Sequence, residues 1–239
     1  MIPKTIHLTW KDSKFPYKYK RCVESWVRLN PDHKVMLWTD DSFKQFVKDL
    51  YPDRLDRVCN FRKGIILADY IRLLVVYHYG GVYADVDFEC LKPVSEWDLD
   101  HDLINVCHEP VEHESVHKIG KIICNALFAA PQQCESFMRM IKRGDEVIDK
   151  KSNEVMKSYG PVGWTQIYNK HTQLFNLLDS KLYYPVPDVT SNLIKYQHTT
   201  KDQYVEMLKH RNFDSNAIHY WDHSNLDRKS ILDLFTSKK

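Results

Sequence analysis

A chain of 239 residues with 43% hydrophobic composition is long enough to bury one substantial α/β core without covalent staples. Lys and Arg total 34 against 32 Asp and Glu, a formal charge of +2 with no long run of either sign, which argues against a nucleic-acid-binding tail or stripe. None of the six cysteines (Cys22, Cys59, Cys90, Cys107, Cys124, Cys134) falls in a CxxC pair or a common zinc spacing; buried thiols in a reducing compartment are the better reading, and the even count leaves disulfides open.

The opening residues 1–7 read as a strand entry, not as the basic and apolar regions of a signal peptide. A first strand is expected over residues 4–10, rich in β-branched and aromatic types. Pro16 marks a turn, and residues 19–29 carry Cys22, Val23, Trp26, Val27 and Leu29 at roughly helical spacing. Asn30-Pro31-Asp32-His33 closes that helix, residues 34–39 supply a second strand, and Asp40 or Asp41 is placed to cap a helix over residues 43–50. Strand–helix–strand–helix order predicts a parallel sheet with helices on its faces.

Residues 65–79 form a helix pattern that is apolar on most sides, the mark of a buried helix. Asp69 and Arg72 lie three apart within it and so project from neighbouring positions. They suit either a mutual structural ion pair or the lining of a polar ligand pocket, because a lone buried charge is too costly. The same charges, with His78, interrupt the longest apolar region and argue against a bilayer span. With no Asn-x-Ser/Thr acceptor either, a cytoplasmic or soluble catalytic unit is expected, with any membrane contact peripheral.

Gly80-Gly81 ends the helix, and residues 82–86 read as a short strand with Asp85 and Asp87 flanking Val86 at its end. Strand alternation would put both carboxylates on one face, while a bend would aim both at one ion. Beyond Pro93, residues 95–117 look like a connection or an excursion from the core. Residues 122–128 suggest a strand, 134–150 a helix, 159–163 a loop and 164–178 a further helix, before strands and loops through Tyr183-Tyr184-Pro185 and residues 217–221. There is no internal repeat.

Two carboxylates at a strand end suit a hard divalent cation, Mg²⁺ or Mn²⁺, that offsets the charge of a diphosphate the carboxylates themselves would repel. The short motif recurs at Asp98-x-Asp100 and Asp100-x-Asp102, read as an exposed acidic loop. Asp85 and Asp87 are distinguished by position, after a buried helix, a glycine turn and an apolar strand; a structural or capping role is their bland alternative.

The segment Arg62-x-Gly64, Ala68-Asp69-x-x-Arg72, Tyr79-Gly80-Gly81-Val82-Tyr83-Ala84-Asp85-Val86-Asp87 resembles the glycosyltransferases with a DXD sugar-binding region, a group that includes fungal initiating mannosyltransferases, bacterial capsule enzymes and, distantly, clostridial glucosylating toxins. Pro3-Lys4-x-Ile6-His7-x-x-Trp10 and Asn30-Pro31 with Leu37-Trp38-Thr39-Asp40 resemble its amino-terminal pattern. The resemblance implies an α/β GT-A fold in one domain over 1–239, with a Rossmann-like nucleotide-sugar half over about 1–95 and an acceptor-binding half over about 96–239. It further implies that Trp10 lies near the donor base, that Asp69 and Arg72 hold the donor sugar, that Asp85 touches ribose and sugar, and that Asp87 ligates the metal. Trp10 is otherwise a core tryptophan, and Asn125 is either a donor-site polar group or a buried structural amide. His219 is a metal or diphosphate contact or a structural histidine, and Asp222 is a rival metal ligand. Where relatives carry a Ser-Trp pair after this histidine, the chain has Ser224-Asn225, which puts the terminal lid in doubt.

The implied reaction is metal-dependent transfer of a sugar from a nucleotide-sugar to a glycan or other hydroxyl acceptor with retained configuration. Asp69, Arg72, Asp85 and Asp87 carry the catalysis, which is largely positional and electrostatic. Trp164, beside the Gly160-Pro161 loop, is a candidate acceptor platform, with core packing as the commoner fate of such a residue. The tryptophan context leans to a UDP-sugar, with GDP-mannose as the alternative donor. A metal-dependent phosphohydrolase and an inactive carbohydrate-binding or interaction protein are the competing functions.

Overall fold

Alternation along Thr5–Thr9 (β1) decides which side of the sheet each residue serves: Ile6 and Leu8 join one core and His7 faces the other. The computed structural model describes residues 1–114, 120–150, 155–188 and 214–222. Helix α1 (Lys20–Leu29) follows a 3₁₀ turn over Tyr17–Tyr19 and leads to β2 (Lys34–Trp38). Helix α2 (Asp40–Leu50) is capped by neither aspartate suggested from sequence. Thr39 is the N-cap, in a reciprocal box with Ser42, and Asp40 and Asp41 occupy the first turn, where their charge opposes the helix dipole. After the short α3 (Leu55–Cys59), α4 (Gly64–Tyr79) buries an almost unbroken run from Ile66 to Val76.

Next come β3 (Gly81–Ala84), β4 (Phe88–Cys90), β5 (Ile104–His108), β6 (Ile123–Ala130), α5 (Glu135–Asp149), α6 (Pro161–Lys170), β7 (Phe175–Leu177), α7 (Ser180–Tyr183) and β8 (Ala217–His219). The main sheet has six strands in the order β2-β1-β3-β6-β5-β7, and β4 pairs with β8 in a separate ribbon. β1 is parallel to both β2 and β3, as the strand–helix rhythm requires, but β6 is antiparallel to β3 and β5, so the sheet is mixed. Two expectations are corrected. Residues 95–117 contain β5, an interior strand hidden by its polar Asn105 and His108. The helix expected over 164–178 starts at Pro161, at the favoured first position, and gives way after Lys170 to a 3₁₀ turn and β7.

One face of the sheet packs against α1 and the β4–β8 ribbon, through Ile6, Leu8, Val82 and Ala84 meeting Cys22, Trp26 and Phe88. The other face packs against α2, α4, α5 and α6, where Tyr83 and Phe128 meet Leu73, Phe137 and Trp164. The approach of α4 to β1 explains the glycine pair. Gly80 and Gly81 adopt φ of 63° and 103°, and a Cβ on Gly81 would collide with the carbonyl oxygen of Thr5. All six cysteines are free thiols, with Cys107 and Cys124 facing one another across β5 and β6.

His7 ties this junction together. The Trp38 Nε1–H donates to His7 Nδ1 at 3.1 Å, so the ring is neutral and its Nε2–H donates to the Gly80 carbonyl at 2.9 Å. Burial, reinforced by the charge of Lys34 and opposed by the Gly80 bond, lowers its pKa to about 4. In the unfolded chain the ring returns to about 6.5. Between these values the unfolded state binds a proton that the folded state refuses, so this contribution to stability is complete above pH 6.5 and is lost as pH falls toward 4. The stability advantage of the protein over His7→Gln is expected to be about 2–3 kcal/mol smaller at pH 4.5 than at pH 7.5. Urea unfolding of both proteins at the two pH values measures it; an advantage independent of pH would refute the assignment.

Candidate active site

Two small constellations meet at the carboxyl end of β3. The first grows from α4. Arg72 is buried and donates from Nη1 to the Asn125 carbonyl at 2.7 Å, while its Nη2 lies 3.3 Å from both Asp69 Oδ1 and Asp85 Oδ1. Its guanidinium also sits 4.9 Å from the centre of the Tyr83 ring. The Asn125 side-chain amide completes the set by donating to Asp69 Oδ1 at 2.9 Å. Asp69 and Arg72 are therefore a structural ion pair and, at the same time, neighbours of Asp85. Burial raises the Asp69 pKa to about 6, even with Arg72 and Asn125 favouring the charged form. Burial works against the charge of Arg72 too, but Asp85, Tyr83 and Asp69 together hold it firmly protonated.

The second constellation is made by a bend. β3 ends at Ala84, and the Phe88 N–H donates to the Asp85 carbonyl at 3.0 Å, closing a turn over residues 85–88. The bend, not strand alternation, brings the two carboxylates together. Asp87 Oδ1 lies 3.2 Å from His219 Nε2, and Asp87 Oδ2 accepts from the Asp222 N–H at 2.7 Å. Ligand atoms of Asp85, Asp87 and His219 all lie within 4.8 Å of one another. Burial would raise both carboxyl pKa values. It prevails at Asp85 despite Arg72, whereas at Asp87 the His219 ring and the hydrogen bonds hold the carboxyl below its ordinary value. Two carboxylates and an imidazole of this spacing fit a hard or borderline divalent cation of the Mg²⁺ or Mn²⁺ type.

His219 arrives from far along the chain. Phe88 and His219 are register partners in the β4–β8 ribbon, and their rings stack at 4.5 Å with an interplanar angle of 14°. Trp221 covers the imidazole at 4.2 Å and is held by its Nε1–H donating to the Val186 carbonyl.

The other sequence candidates are placed as follows. Trp10 lies half-buried just past the end of β1, against Phe15 and Tyr19, and among the described residues its Nε1–H has no hydrogen-bond partner. Asp222, the candidate rival ligand, directs Oδ2 elsewhere: Lys18 lies 2.7 Å from it, the Tyr19 hydroxyl also donates there, and the Asp222 backbone N–H donates to Asp87 Oδ2. Trp164, the candidate acceptor platform, lies in the core. It is 1% exposed, packs on Phe128 and Phe137, and donates to the Tyr159 carbonyl at 3.1 Å, because a helix starting at Pro161 turns it into the core. The Asp98–Asp102 region is an exposed turn, with Asp100 accepting from the Asp102 N–H at 2.8 Å. Ser224-Asn225 lies outside the described residues.

Sequence reasoning overlooked Tyr83 as a site residue. Its hydroxyl donates to Asp85 Oδ1 at 2.6 Å and lies 2.8 Å from the Thr9 hydroxyl. Spacing of two residues at a strand end could have revealed it, since Tyr83 and Asp85 share a side of the chain.

Comparison with known proteins places these groups in context. Residues 16–104 match the family described as "Glycosyltransferase sugar-binding region containing DXD motif". Inositol phosphoceramide mannosyltransferase 3 of Schizosaccharomyces pombe is 39% identical over 89 residues, covering 37% of this chain and 25% of that protein. The initiation-specific alpha-1,6-mannosyltransferase of Candida albicans is 35% identical over 110 residues, 43% of this chain and 29% of that protein. The matched stretch thus spans about a quarter of these curated relatives. Among solved structures, PaToxG glycosyltransferase superposes with a TM-score of 0.56 at 18% identity over 72% of this chain and 70% of the other. A glycosyltransferase involved in glycosylation of the major capsid of PBCV-1 gives 0.51 at 10% identity over 91% and 93%. At such identities the likeness is one of fold. With the DXD bend, the sheet that carries it and the sequence match over the same residues, residues 16–104 are a DXD-motif glycosyltransferase sugar-binding region related to that of the fungal mannosyltransferases, set in a mixed α/β fold of the GT-A kind.

Proposed function

We propose that this chain transfers a mannosyl group from a nucleotide donor, with GDP-mannose favoured, to a hydroxyl acceptor, with configuration retained. The observation that carries the proposal is the Asp85–Asp87–His219 cluster, whose carboxylates lie inside the matched sugar-binding region. Relatives named as mannosyltransferases favour GDP-mannose over the UDP-sugar suggested by the tryptophan context. Those named for inositol phosphoceramide make an inositol-phosphate lipid the first acceptor to try.

Asp87 and His219, with Asp85, would hold a divalent cation; when bound, it supplies positive charge to the departing diphosphate. Asp69 and Arg72 receive the sugar hydroxyls, and Asn125 fixes the Asp69 carboxylate that does so. Tyr83 orients Asp85 from beneath. Trp10 offers a broad face to the base, with Tyr19 and Phe15 behind it. The acceptor hydroxyl attacks from the face the diphosphate leaves and gives its proton to that group, so the protein acts by placement and by charge. Residues up to about 95 serve the donor and the later residues close the site within the same domain.

Mass spectrometry of products from a panel of GDP- and UDP-sugars, with and without Mn²⁺, tests the proposal by scoring both slow donor hydrolysis and transfer. Turnover of GDP-mannose that requires the cation is expected. Phosphate release from simple esters without sugar-nucleotide turnover would favour a phosphohydrolase, and glycan binding without turnover an interaction protein.

A further inference from the structure

Glu89 is a buried carboxylate that the proposed reaction does not use. It is 5% exposed, and both its oxygens are engaged: Oε1 accepts from Arg21 Nε at 2.9 Å and Oε2 from the Tyr220 hydroxyl at 2.6 Å. Both are charge-assisted bonds, stronger than neutral ones. Glu89 stands two residues after Asp87 on β4, and Tyr220 immediately follows His219, so this contact bridges the two chain segments that supply the cation cluster.

The ribbon needs such a bridge. β8 is three residues long and, among the described residues, pairs only with β4, so its short ladder does little by itself to fix its register and it depends on side-chain contacts. Yet His219 must stay within 4.8 Å of two carboxylates fixed elsewhere. By alternation, Phe88 and His219 share one face of the ribbon while Glu89, Ile218 and Tyr220 share the other. Phe88 and Trp221 grip the imidazole from its own side. On the opposite side, Glu89 holds Tyr220, and Arg21 on α1 holds Glu89. A second clasp, the Tyr220 N–H to the Asp87 carbonyl at 3.1 Å, keeps the same residue in register.

We infer that Glu89 is a positioning residue for the cation site: through the Tyr220 hydroxyl it fixes the strand that presents His219, and so sets the affinity for the divalent ion before any donor binds. The inference rests on the cluster being a cation site.

Isothermal titration with Mn²⁺ alone tests it, on the protein, Tyr220→Phe, His219→Ala and the double variant, with thermal melting of each metal-free sample. Tyr220→Phe keeps the ring and removes one hydroxyl, and is expected to weaken Mn²⁺ about tenfold or more, as loss of groups behind a ligand commonly does. The metal-free protein should still melt in a single transition. In the His219→Ala background the same change should cause no further loss. Glu89→Gln, which keeps the side-chain volume and removes the charge, should also weaken Mn²⁺. Unchanged affinity in Tyr220→Phe and Glu89→Gln would overturn the inference, as would an equal loss with and without His219. A parent protein that binds no Mn²⁺ would instead strike down the cation reading, and this inference with it.

Discussion

Asp87→Asn is expected to reduce cation-dependent transfer by about a hundredfold or more while the chain stays folded. Asparagine has almost the shape of aspartate, and its amide oxygen can still accept from the Asp222 N–H that now bonds Asp87 Oδ2 at 2.7 Å. The lost feature is the charge, in a carboxyl that His219 and its hydrogen bonds hold below the ordinary range and hence ionised. Without it, a cation between Asp85 and His219 keeps only one anionic ligand. Two measurements separate the effects: transfer rate at saturating Mn²⁺, and Mn²⁺ affinity without donor. Full transfer by a folded Asp87→Asn protein would sink the assignment. A loss of activity accompanied by a broadened or absent melting transition would mean a structural role.

Arg72→Leu is expected to have the largest effect on stability, about 3–5 kcal/mol, because it leaves Asp69 and Asp85 without the cation they share. The guanidinium is buried and bridges carboxylates from α4 and from the end of β3, while also bonding the backbone of β6 at Asn125. Remaining partners soften the loss: Asp69 keeps the Asn125 amide and Asp85 the Tyr83 hydroxyl. Burial already raises the Asp69 pKa to about 6 with the arginine in place, so its removal should drive Asp69 toward the protonated form. Arg72→Leu combined with Asp69→Asn should therefore be more stable than Arg72→Leu alone, since the second change removes one stranded charge. Urea unfolding of the parent, both single variants and the pair gives the coupling directly. Additive losses would show that Asp69 and Arg72 do not act as a unit. The same variants should lose donor turnover, because the pair that holds α4 against the sheet also faces the sugar in the proposed reaction.

These expectations share one architectural cause. Asp85 emerges on the side of β3 that packs against α4, so an arginine buried under the sheet can reach it. Asp87 lies past the bend, where the β4–β8 ribbon begins. The site is thus assembled from both faces of the main sheet, at the strand end where open α/β sheets gather ligands.

Local patterns in the chain determined much of this by themselves. Period-two and helical spacing locate β1, α1, β2, α4 and β6, because burying one face of an element imposes its own repeat on neighbouring residues. The Gly80-Gly81 pair marks the helix end, since only glycine fits the positive φ there and the close approach to Thr5. The Asp-x-Asp residues are legible because both carboxylates sit in one short turn. Tertiary structure alone decided the rest. His219 meets Asp87 across 132 residues of chain, a proximity that no local spacing encodes. Asp222 turned its carboxylate to Lys18 and Tyr19 and offered Asp87 only its amide, and Trp164 went into the core because Pro161 set the phase of its helix. The strand Ile104–His108 is not legible in the sequence because its buried polar Asn105 is satisfied by partners that only the folded sheet supplies, among them the Ala129 carbonyl of β6 and the Asn176 amide of β7. Sequence fixes what an element can bury; the packing of elements fixes what each functional group can touch.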